Sequence, residues 1–279
     1  MRYAVKVFYL GDYYYGYQRQ PDVPTVEGTI INALKKAGYI TDVKTSNFAS
    51  ATRTDRYVSA LGNCFAFNTK KDLIITQLNH FLPHNNSIIC WAKSTVDEDF
   101  SPRFAKLKKY WYFLSRDYLN EKQLSINDIK KVSKKFEGTH DFRLFSKFNE
   151  KDTIRSIDKI NLIENQDSLI LEFIGQSFLW QQIRRIVSYI VSFPFLPEQF
   201  QDTEELLGEN SINHLPLKPA SPHHLLFVEH YYENLNWKVN QTTLKKILSY
   251  SMFQTFELDS KHSRFKKQWS FFKDIIEEN

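Results

Sequence analysis

Hydrophobic and polar residues alternate between strand-like and helix-like patterns from the first residues onward. Residues 2–10 are rich in β-branched and aromatic side chains and end at a Gly-Asp pair, which predicts a strand followed by a turn. Residues 26–37 repeat apolar side chains at helical spacing. We therefore predict a helix that is capped by Thr25 and stopped by Gly38.

The following segments complete a β-α-β-β-α-β order. Residues 46–52 and 63–68 have the composition of two short strands. Asp72 is expected to cap a second helix that ends at Pro83, and residues 87–96 predict the next strand.

The same order recurs in the second half of the chain. The predicted elements are a strand at 109–116, a helix capped by Asn127 or Asp128 and ending at Gly138, a hairpin of strands at 154–164 and 168–174, a helix capped by Ser177, and a strand at 225–232. Each half matches the split β-α-β ferredoxin-like pattern, in which helices cover one face of an antiparallel sheet.

The repeated order predicts an α+β fold of two tandem ferredoxin-like units, residues 1–105 and 106–235. Residues 236–279 are expected to add a helical appendix with helices at 242–256 and 265–276, which packs on the second unit or on a partner.

Composition narrows the class of protein. Hydrophobic residues make up 42% and charged residues 25% of the 279 residues, as in ordinary globular proteins. The 8 Gly, 9 Pro and 2 Cys exclude a collagenous, low-complexity or disulfide-framework protein. Two unclustered thiols predict a reducing compartment, and we expect the cytoplasm. Lys6 interrupts the apolar core that a signal peptide needs, and no apolar run approaches the roughly 20 residues of a membrane span.

Basic residues are locally concentrated although the net charge is only +5. Four clusters stand out, at 103–109, 130–135, 184–185 and 261–267. Aromatic residues lie in or beside the first, third and fourth of them, a combination that suits phosphates and unstacked bases. The cluster at 130–135 is more simply the solvated face of a helix.

The loop that begins at Arg53 carries the strongest sign of chemistry. Asp55 stands between Arg53 and Arg56, and residues two apart in an extended segment project to the same side. Arg53 can therefore pair with Asp55 and keep it ionised, and a carboxylate held in this way is a ready nucleophile. From the spacing alone, a surface ion pair that only fixes a turn is the more frequent explanation of such a pattern.

Six motifs together resemble the tRNA pseudouridine synthase A (TruA) family. They are Tyr13–Gln20 with Thr25–Glu27, Arg53–Asp55, Asp99–Phe104 with Lys109–Tyr112, Gly138–Phe142, Phe178–Val187, and Pro219–Pro222 with Leu225–Val228. The first is similar to the family's Tyr-Gly-Trp-Gln-Arg-Gln, and the second to its catalytic Gly-Arg-Thr-Asp-Ala-Gly-Val-His. Because all six occur in the family's order over roughly residues 1–232, the set is far more specific than any one motif.

The resemblance implies a fold, a reaction and the residues that perform it. The fold is pseudouridine synthase-like, with the two antiparallel sheets joined around a central cleft. Asp55 would be the nucleophile, Tyr110 would stack on the target uracil, Arg184 would be the basic partner of the aspartate, and Arg53 would hold the substrate. The reaction converts uridine to pseudouridine without a redox step or an energy donor, so no cofactor is implied.

The expected partner is tRNA, modified in the anticodon stem-loop at positions 38–40. We predict RNA contacts at Arg19, Arg103, Lys108 and Lys109, and the resemblance also implies a homodimer. A metal-dependent nuclease is disfavoured, because His223 and His224 would point to opposite sides of an extended segment and make a poor ligand pair. We predict no metal site.

The catalytic loop departs from the family pattern. Thr52 replaces a glycine, Arg56 and Tyr57 replace Ala-Gly, and Ser59 stands where the family has histidine. Since glycine is used where the backbone needs positive φ or close approach, we expect a reshaped loop. Two alternatives stay open: a pseudouridine synthase for a different RNA site, or a catalytically inactive relative that only binds RNA.

Overall fold

The computed structural model describes residues 1–147, 152–208 and 215–247. The chain divides into two compact α+β units. The first contains residues 1–104 and 232–247, and the second contains the described residues between 105 and 231.

The first unit is built on one antiparallel sheet. Its strands are β1 (Arg2–Tyr9), β2 (Ala49–Ser50), β3 (Ser59–Asn68), β4 (Ile88–Val96) and β11 (Lys238–Val239), and its helices are α1 (Val26–Lys36) and α2 (Ile75–His80). Strand β1 lies between β3 and β4, β2 pairs with the edge of β3 away from β1, and β11 pairs with β4. Every residue of β1 is buried, as expected of a central strand.

The predicted ends of α1 are confirmed. The Thr25 side chain accepts a hydrogen bond from the Gly28 amide at 3.3 Å, which satisfies one of the donors at the helix start. Gly38 has a φ of +69°, the left-handed conformation that commonly ends a helix.

The second unit is built on a four-stranded antiparallel sheet. Its elements are β5 (Leu107–Ser115), α3 (Arg116–Glu121), α4 (Ile126–Lys134), β6 (Gly138–Asp141), β7 (Ile154–Ile157), β8 (Lys159–Glu164), β9 (Ser168–Gly175), α5 (Gln182–Ser192), α6 (Thr203–Leu206) and β10 (Leu225–Tyr231). The order in the sheet is β10-β5-β9-β8. The single strand predicted at 154–164 is divided in two, since β7 pairs with β6 and only β8 pairs with β9.

Two predicted helix caps are wrong. Helix α2 begins only after Ile74, and the Asp72 carboxylate instead accepts a hydrogen bond from the Tyr3 hydroxyl at 3.3 Å. Helix α4 is capped by Ser125, whose hydroxyl accepts from the Asp128 amide at 3.4 Å. Ser125 displaces Asn127 and Asp128 as the cap because the helix starts earlier than the apolar spacing indicates.

The start of α5 also differs from the prediction. The helix begins at Gln182, after Gln181 in the left-handed conformation with φ +64°, rather than at Ser177. The Gln182 side chain accepts a hydrogen bond from the Leu179 amide at 2.7 Å and so closes a turn before the helix.

The described part of the C-terminal segment belongs to the first unit, whereas we expected it to pack on the second unit or on a partner. Strand β11 pairs with β4, and residues 241–247 are helical, with the Thr243 amide donating to the Asn240 side chain at 3.0 Å. The predicted helix at 265–276 and the basic cluster at 261–267 lie outside the described residues. Over the ranges that are described, every helix is too short or too polar to cross a membrane.

Candidate active site

Asp55 lies in the loop between β2 and β3, and a buried network holds the residues before it. Asn63, fully buried on β3, donates through Nδ2 to the Thr52 carbonyl at 2.8 Å and to the Tyr9 hydroxyl at 3.0 Å. The Tyr9 hydroxyl in turn lies 2.8 Å from the Thr54 hydroxyl. The backbone position of the half-buried Asp55 is therefore set by side chains of β1 and β3.

The far side of the loop contains a strained residue. Tyr57 has a φ of +71°, the left-handed region that favours glycine, at the position where the family pattern has glycine. The conformation that glycine would allow is therefore present in spite of the substitution. Gly11 packs so closely that a Cβ there would overlap the backbone of Tyr57 and Val58, and its amide donates to the Ser59 hydroxyl at 3.0 Å.

Arg56 lies against two aromatic rings. Its guanidinium carbon lies 4.0 Å from the ring centroid of Tyr15 and 4.5 Å from that of Tyr57. We call these residues the Tyr15–Arg56–Tyr57 stack. This stack could not be predicted from the sequence, because Tyr15 and Arg56 are 41 positions apart and no local pattern connects them.

The aromatic run at 13–17 is divided between core and surface. Tyr14 and Tyr17 are buried, and the Tyr14 hydroxyl lies 2.9 Å from the Ser87 hydroxyl. Tyr13 and Tyr15 are 42% and 43% exposed. The run therefore contributes both to the packing of the first unit and to the surface beside the Asp55 loop.

The predicted ion pair between Arg53 and Asp55 is not observed. Arg53 is exposed, and it forms no ion pair within the part of the chain that the structure describes. Asp55 is half-buried, so the two side chains do not share one environment despite their spacing.

In the second unit, Tyr110 is held on β5 by two aromatic rings. Its ring meets Phe178 at a centroid distance of 5.3 Å and Phe227 at 4.8 Å, both nearly edge-on. Phe227 is its register partner on β10. Only 8% of Tyr110 is exposed, so its ring has little freedom to reorient.

Arg184, on α5, fixes the segment that contains Ala220 and Ser221. Its Nε donates to the Ala220 carbonyl at 2.7 Å, and the Ala220 amide donates to the Arg184 carbonyl at 3.0 Å. The Tyr112 hydroxyl donates to the Ser221 carbonyl at 3.1 Å. Burial raises the pKa of Tyr112, and the Arg184 charge acts in the opposite direction. Arg184 is thus a buried residue whose guanidinium is oriented by its bond to Ala220.

The predicted RNA-contacting arginines of the first unit have different surroundings. Arg19 forms an ion pair with Glu27 at 3.0 Å, and Glu27 also accepts a hydrogen bond from Ser50 at 2.8 Å. Arg103 is exposed. A phosphate would compete with Glu27 for Arg19 but would meet Arg103 in solvent.

The two predicted lysines lie on opposite faces of β5, since neighbouring strand residues alternate. Lys109 Nζ lies 3.6 Å from the carboxylate of Glu172, which also accepts from Trp111 Nε1 at 2.8 Å. Lys108 lies on the Tyr110 face and is half-buried, and this burial lowers its pKa.

The histidine pair does not have the extended geometry assumed above. His223 and His224 lie in a short 3-10 turn, Pro222–His224. Within residues 1–147, 152–208 and 215–247, no cluster of three or more histidines, cysteines or acidic residues could hold a metal ion.

Comparison with known proteins first indicates a class, the pseudouridine synthases. A family model described as tRNA pseudouridine synthase matches residues 132–233. The tRNA pseudouridine synthase A of Thermococcus sibiricus is 39% identical over 251 residues, which cover 88% of this chain and 91% of that protein. The protein of the same name from Pyrococcus furiosus is 41% identical over 251 residues, 88% of this chain and 89% of its own. The chain therefore belongs to the tRNA pseudouridine synthase A family.

Among solved structures, similarity is low. A structure titled as a Cbf5-Nop10-Gar1 complex aligns with 94% of this chain and 58% of that chain, at 13% identity and a TM-score of 0.38. A similarity of this size carries no weight for the fold.

Proposed function

We propose that this protein isomerises uridine to pseudouridine in tRNA. The relatives that bear the name tRNA pseudouridine synthase A are aligned with 88% of the chain, including the Asp55 loop. The observation that carries the proposal is the Arg-Thr-Asp loop itself, which Tyr9 and Asn63 hold from within the core. A carboxylate carried on a loop that is held in place is what covalent catalysis requires.

The proposed nucleophile is Asp55. In the reaction, the bond from the ribose C1′ to N1 of uracil breaks, the base rotates, and a bond from C1′ to C5 forms. N1 gains a proton and C5 loses one, so atoms and charge balance without an oxidant or an energy donor. A carboxylate that bonds transiently to the substrate divides this change into easier steps.

Tyr110 and Arg184 are proposed to assist at the same uridine. The target base must leave its stack, at a cost of a few kcal/mol, and a ring that cannot reorient is suited to hold it. The two aromatic contacts of Tyr110 support this role. The Nε bond of Arg184 to Ala220 orients a guanidinium suited to pairing with a carboxylate, and Arg53 is exposed for a phosphate.

We also propose the finer points that the family resemblance implies. Each unit would be ferredoxin-like, supported by the matching orders β4-β1-β3-β2 and β10-β5-β9-β8. The two sheets would join around a central cleft. The substrate would be the anticodon stem-loop, and the enzyme would act as a cytoplasmic homodimer.

The decisive experiment measures release of tritium from uracil C5 in labelled tRNA. Asp55→Asn keeps the size of the side chain but removes the attacking charge, so turnover should vanish while tRNA still binds. Asp97→Asn is the matched control, since Asp97 is exposed on the same unit and forms no ion pair within the described residues. It should retain wild-type turnover.

Two results would contradict the proposal. If Asp55 only fixes a turn, Asp55→Asn should lower stability by about 1 kcal/mol or less and leave activity within a fewfold. If wild-type protein binds tRNA but releases no tritium from any tRNA, the inactive RNA-binding alternative is correct. Mapping of the modified position then separates the anticodon stem-loop from other RNA sites.

A further inference from the structure

The Tyr15–Arg56–Tyr57 stack has no role in the chemistry described above, although Arg56 directly follows Asp55. We infer that this stack binds the nucleotide next to the target uridine: its unpaired base stacks beside Arg56 and Tyr15, and its phosphate pairs with the Arg56 guanidinium. This inference rests on the proposed function, because it takes tRNA as the ligand.

The first argument is the chemistry of the stack. Distances of 4.0 and 4.5 Å to the two ring centroids place the guanidinium in cation–π contact with both rings. Aromatic rings and arginine planes are the groups on which proteins stack single-stranded bases, because every base has a flat face. An acidic peptide would use the charge of Arg56 but not the two rings.

The second argument is the availability of the charge. Arg56 is exposed and forms neither an ion pair nor a side-chain hydrogen bond within the described residues. Tyr15 is 43% exposed. The N–H groups of a guanidinium match phosphate oxygens in geometry, so Arg56 can bind phosphate without first breaking an ion pair.

The third argument is preorganisation. The Tyr15 amide donates to the Pro24 carbonyl at 2.8 Å, and the Gln20 side chain donates to the Tyr15 carbonyl at 2.7 Å. Gly16, with φ +97°, packs so closely that a Cβ there would lie 3.3 Å from the Thr54 carbonyl oxygen. Both segments are therefore fixed before any ligand arrives, which reduces the entropy lost on binding.

The position of Arg56 in the chain indicates which nucleotide the stack binds. Arg56 directly follows Asp55 in the chain, so the stack is placed beside the proposed nucleophile, where the nucleotide next to the reacting one would lie. A uridine turned out of its stack exposes the face of that neighbour, which the stack would cover.

The test is the dissociation constant of unmodified tRNA, measured by fluorescence anisotropy at fixed salt. Arg56→Ala and Tyr15→Ala should each weaken binding roughly tenfold, the usual effect of losing one stacked base. Because both residues would hold the same nucleotide, the double variant should lose much less than the product of the two single effects. Arg56→Lys keeps the charge without the plane and should recover only part of the affinity.

Two control variants and the melting temperatures distinguish the loss of this contact from a general loss of charge, ring or stability. Tyr13→Ala removes an equally exposed ring from the same segment, and Lys36→Ala removes an exposed charge from α1 of the same unit. Both should bind within about twofold of wild type. An equal loss in Tyr13→Ala, full recovery in Arg56→Lys, or wild-type affinity with a lowered melting temperature in Arg56→Ala would overturn the inference.

These measurements do not depend on turnover. If wild-type protein binds tRNA without releasing tritium, the proposed isomerase activity fails while the binding effects of Arg56→Ala and Tyr15→Ala are still measured. If turnover is normal and both variants bind like wild type, the stack has no such role and the proposed activity stands.

Discussion

The hydroxyl oxygen of Tyr9 lies 2.8 Å from that of Thr54, and this contact joins the end of the central strand of the first sheet to the residue before Asp55. Tyr9 is fully buried, and burial raises its pKa, so the phenol stays protonated. Since the Asn63 amide donates to the phenol at 3.0 Å, the Tyr9 proton can be donated to Thr54. We interpret Tyr9 as a positioning residue for the nucleophile.

Tyr9→Phe should lower turnover more than it lowers tRNA affinity. The change removes the hydroxyl that holds Thr54 and leaves a buried Asn63 donor without that acceptor, at a cost of about 1–3 kcal/mol in stability. Tyr14→Phe is the matched control, because it removes a buried hydroxyl bonded to Ser87 instead of the loop. We expect both variants to unfold at lower denaturant concentration, but only Tyr9→Phe to lose kcat in the tritium-release assay. Equal turnover in the two variants would refute the positioning role.

The left-handed backbone of Tyr57 leads to a second prediction. A residue with a Cβ pays about 1–2 kcal/mol in this conformation, whereas glycine does not. Tyr57→Gly and Tyr57→Ala both lose the ring that contacts Arg56. The difference between their free energies of unfolding therefore measures the cost of the left-handed backbone alone. The glycine variant should be more stable by about 1 kcal/mol in urea unfolding. An alanine variant of equal or greater stability would show that the conformation carries no strain.

Elements that depend on local signals could be predicted from the sequence. Thr25 and Gly38 lie at the two ends of the apolar pattern they delimit, and α1 has the predicted ends. Asp55 was identifiable because its neighbours form a motif. The caps of α4 and α5 could not be predicted, because several polar residues near the start of each helix could act as the cap. Only the final packing selects among them.

Contacts between distant segments could not be predicted. Asn63 is 54 residues from Tyr9 in sequence, and a single asparagine in an apolar strand does not reveal its partner. The contact between Arg56 and Tyr15 likewise joins residues that are far apart in the sequence. The pairing of Arg53 with Asp55 was expected from ideal strand alternation, but residues 52–55 have no strand partner and the loop does not keep that alternation.

The two thiols provide a third prediction. Cys64 and Cys90 are free and buried, and burial raises the pKa of the Cys64 thiol to about 12 and that of Cys90 as well. A thiol reagent at mildly alkaline pH should therefore react with neither in the native protein and with both after unfolding, since the thiolate is the reactive form.

The raised pKa values of the two thiols also make the stability of the protein fall at high pH. The unfolded thiols ionise above a pKa of about 8.5 while the native thiols keep their protons, so each raised thiol lowers the free energy of unfolding by about 1.4 kcal/mol per pH unit above that value. Urea unfolding at increasing pH measures this slope, and Cys64→Ala should make it shallower. An unchanged slope in that variant would mean that Cys64 does not keep its proton in the native state.

The last prediction separates the two lysines of β5. Lys109 lies 3.6 Å from Glu172, and this negative charge weakens the attraction between Lys109 and an RNA phosphate. Lys108 forms no ion pair within the described residues. Lys108→Ala should therefore weaken tRNA binding more than Lys109→Ala. It should also reduce the slope of log affinity against log salt by about 1, the value for one lost phosphate contact. Glu172 keeps its bonds to Trp111 and Asn161, so neither change should unfold the protein.

The effect of Lys108 should also depend on pH. Because burial lowers the pKa of Lys108, its charge is lost at lower pH than that of an exposed lysine. The difference in tRNA affinity between wild type and Lys108→Ala should therefore shrink as the pH rises. Equal effects of the two substitutions at every pH would show that neither the ion pair of Lys109 nor the burial of Lys108 governs RNA binding.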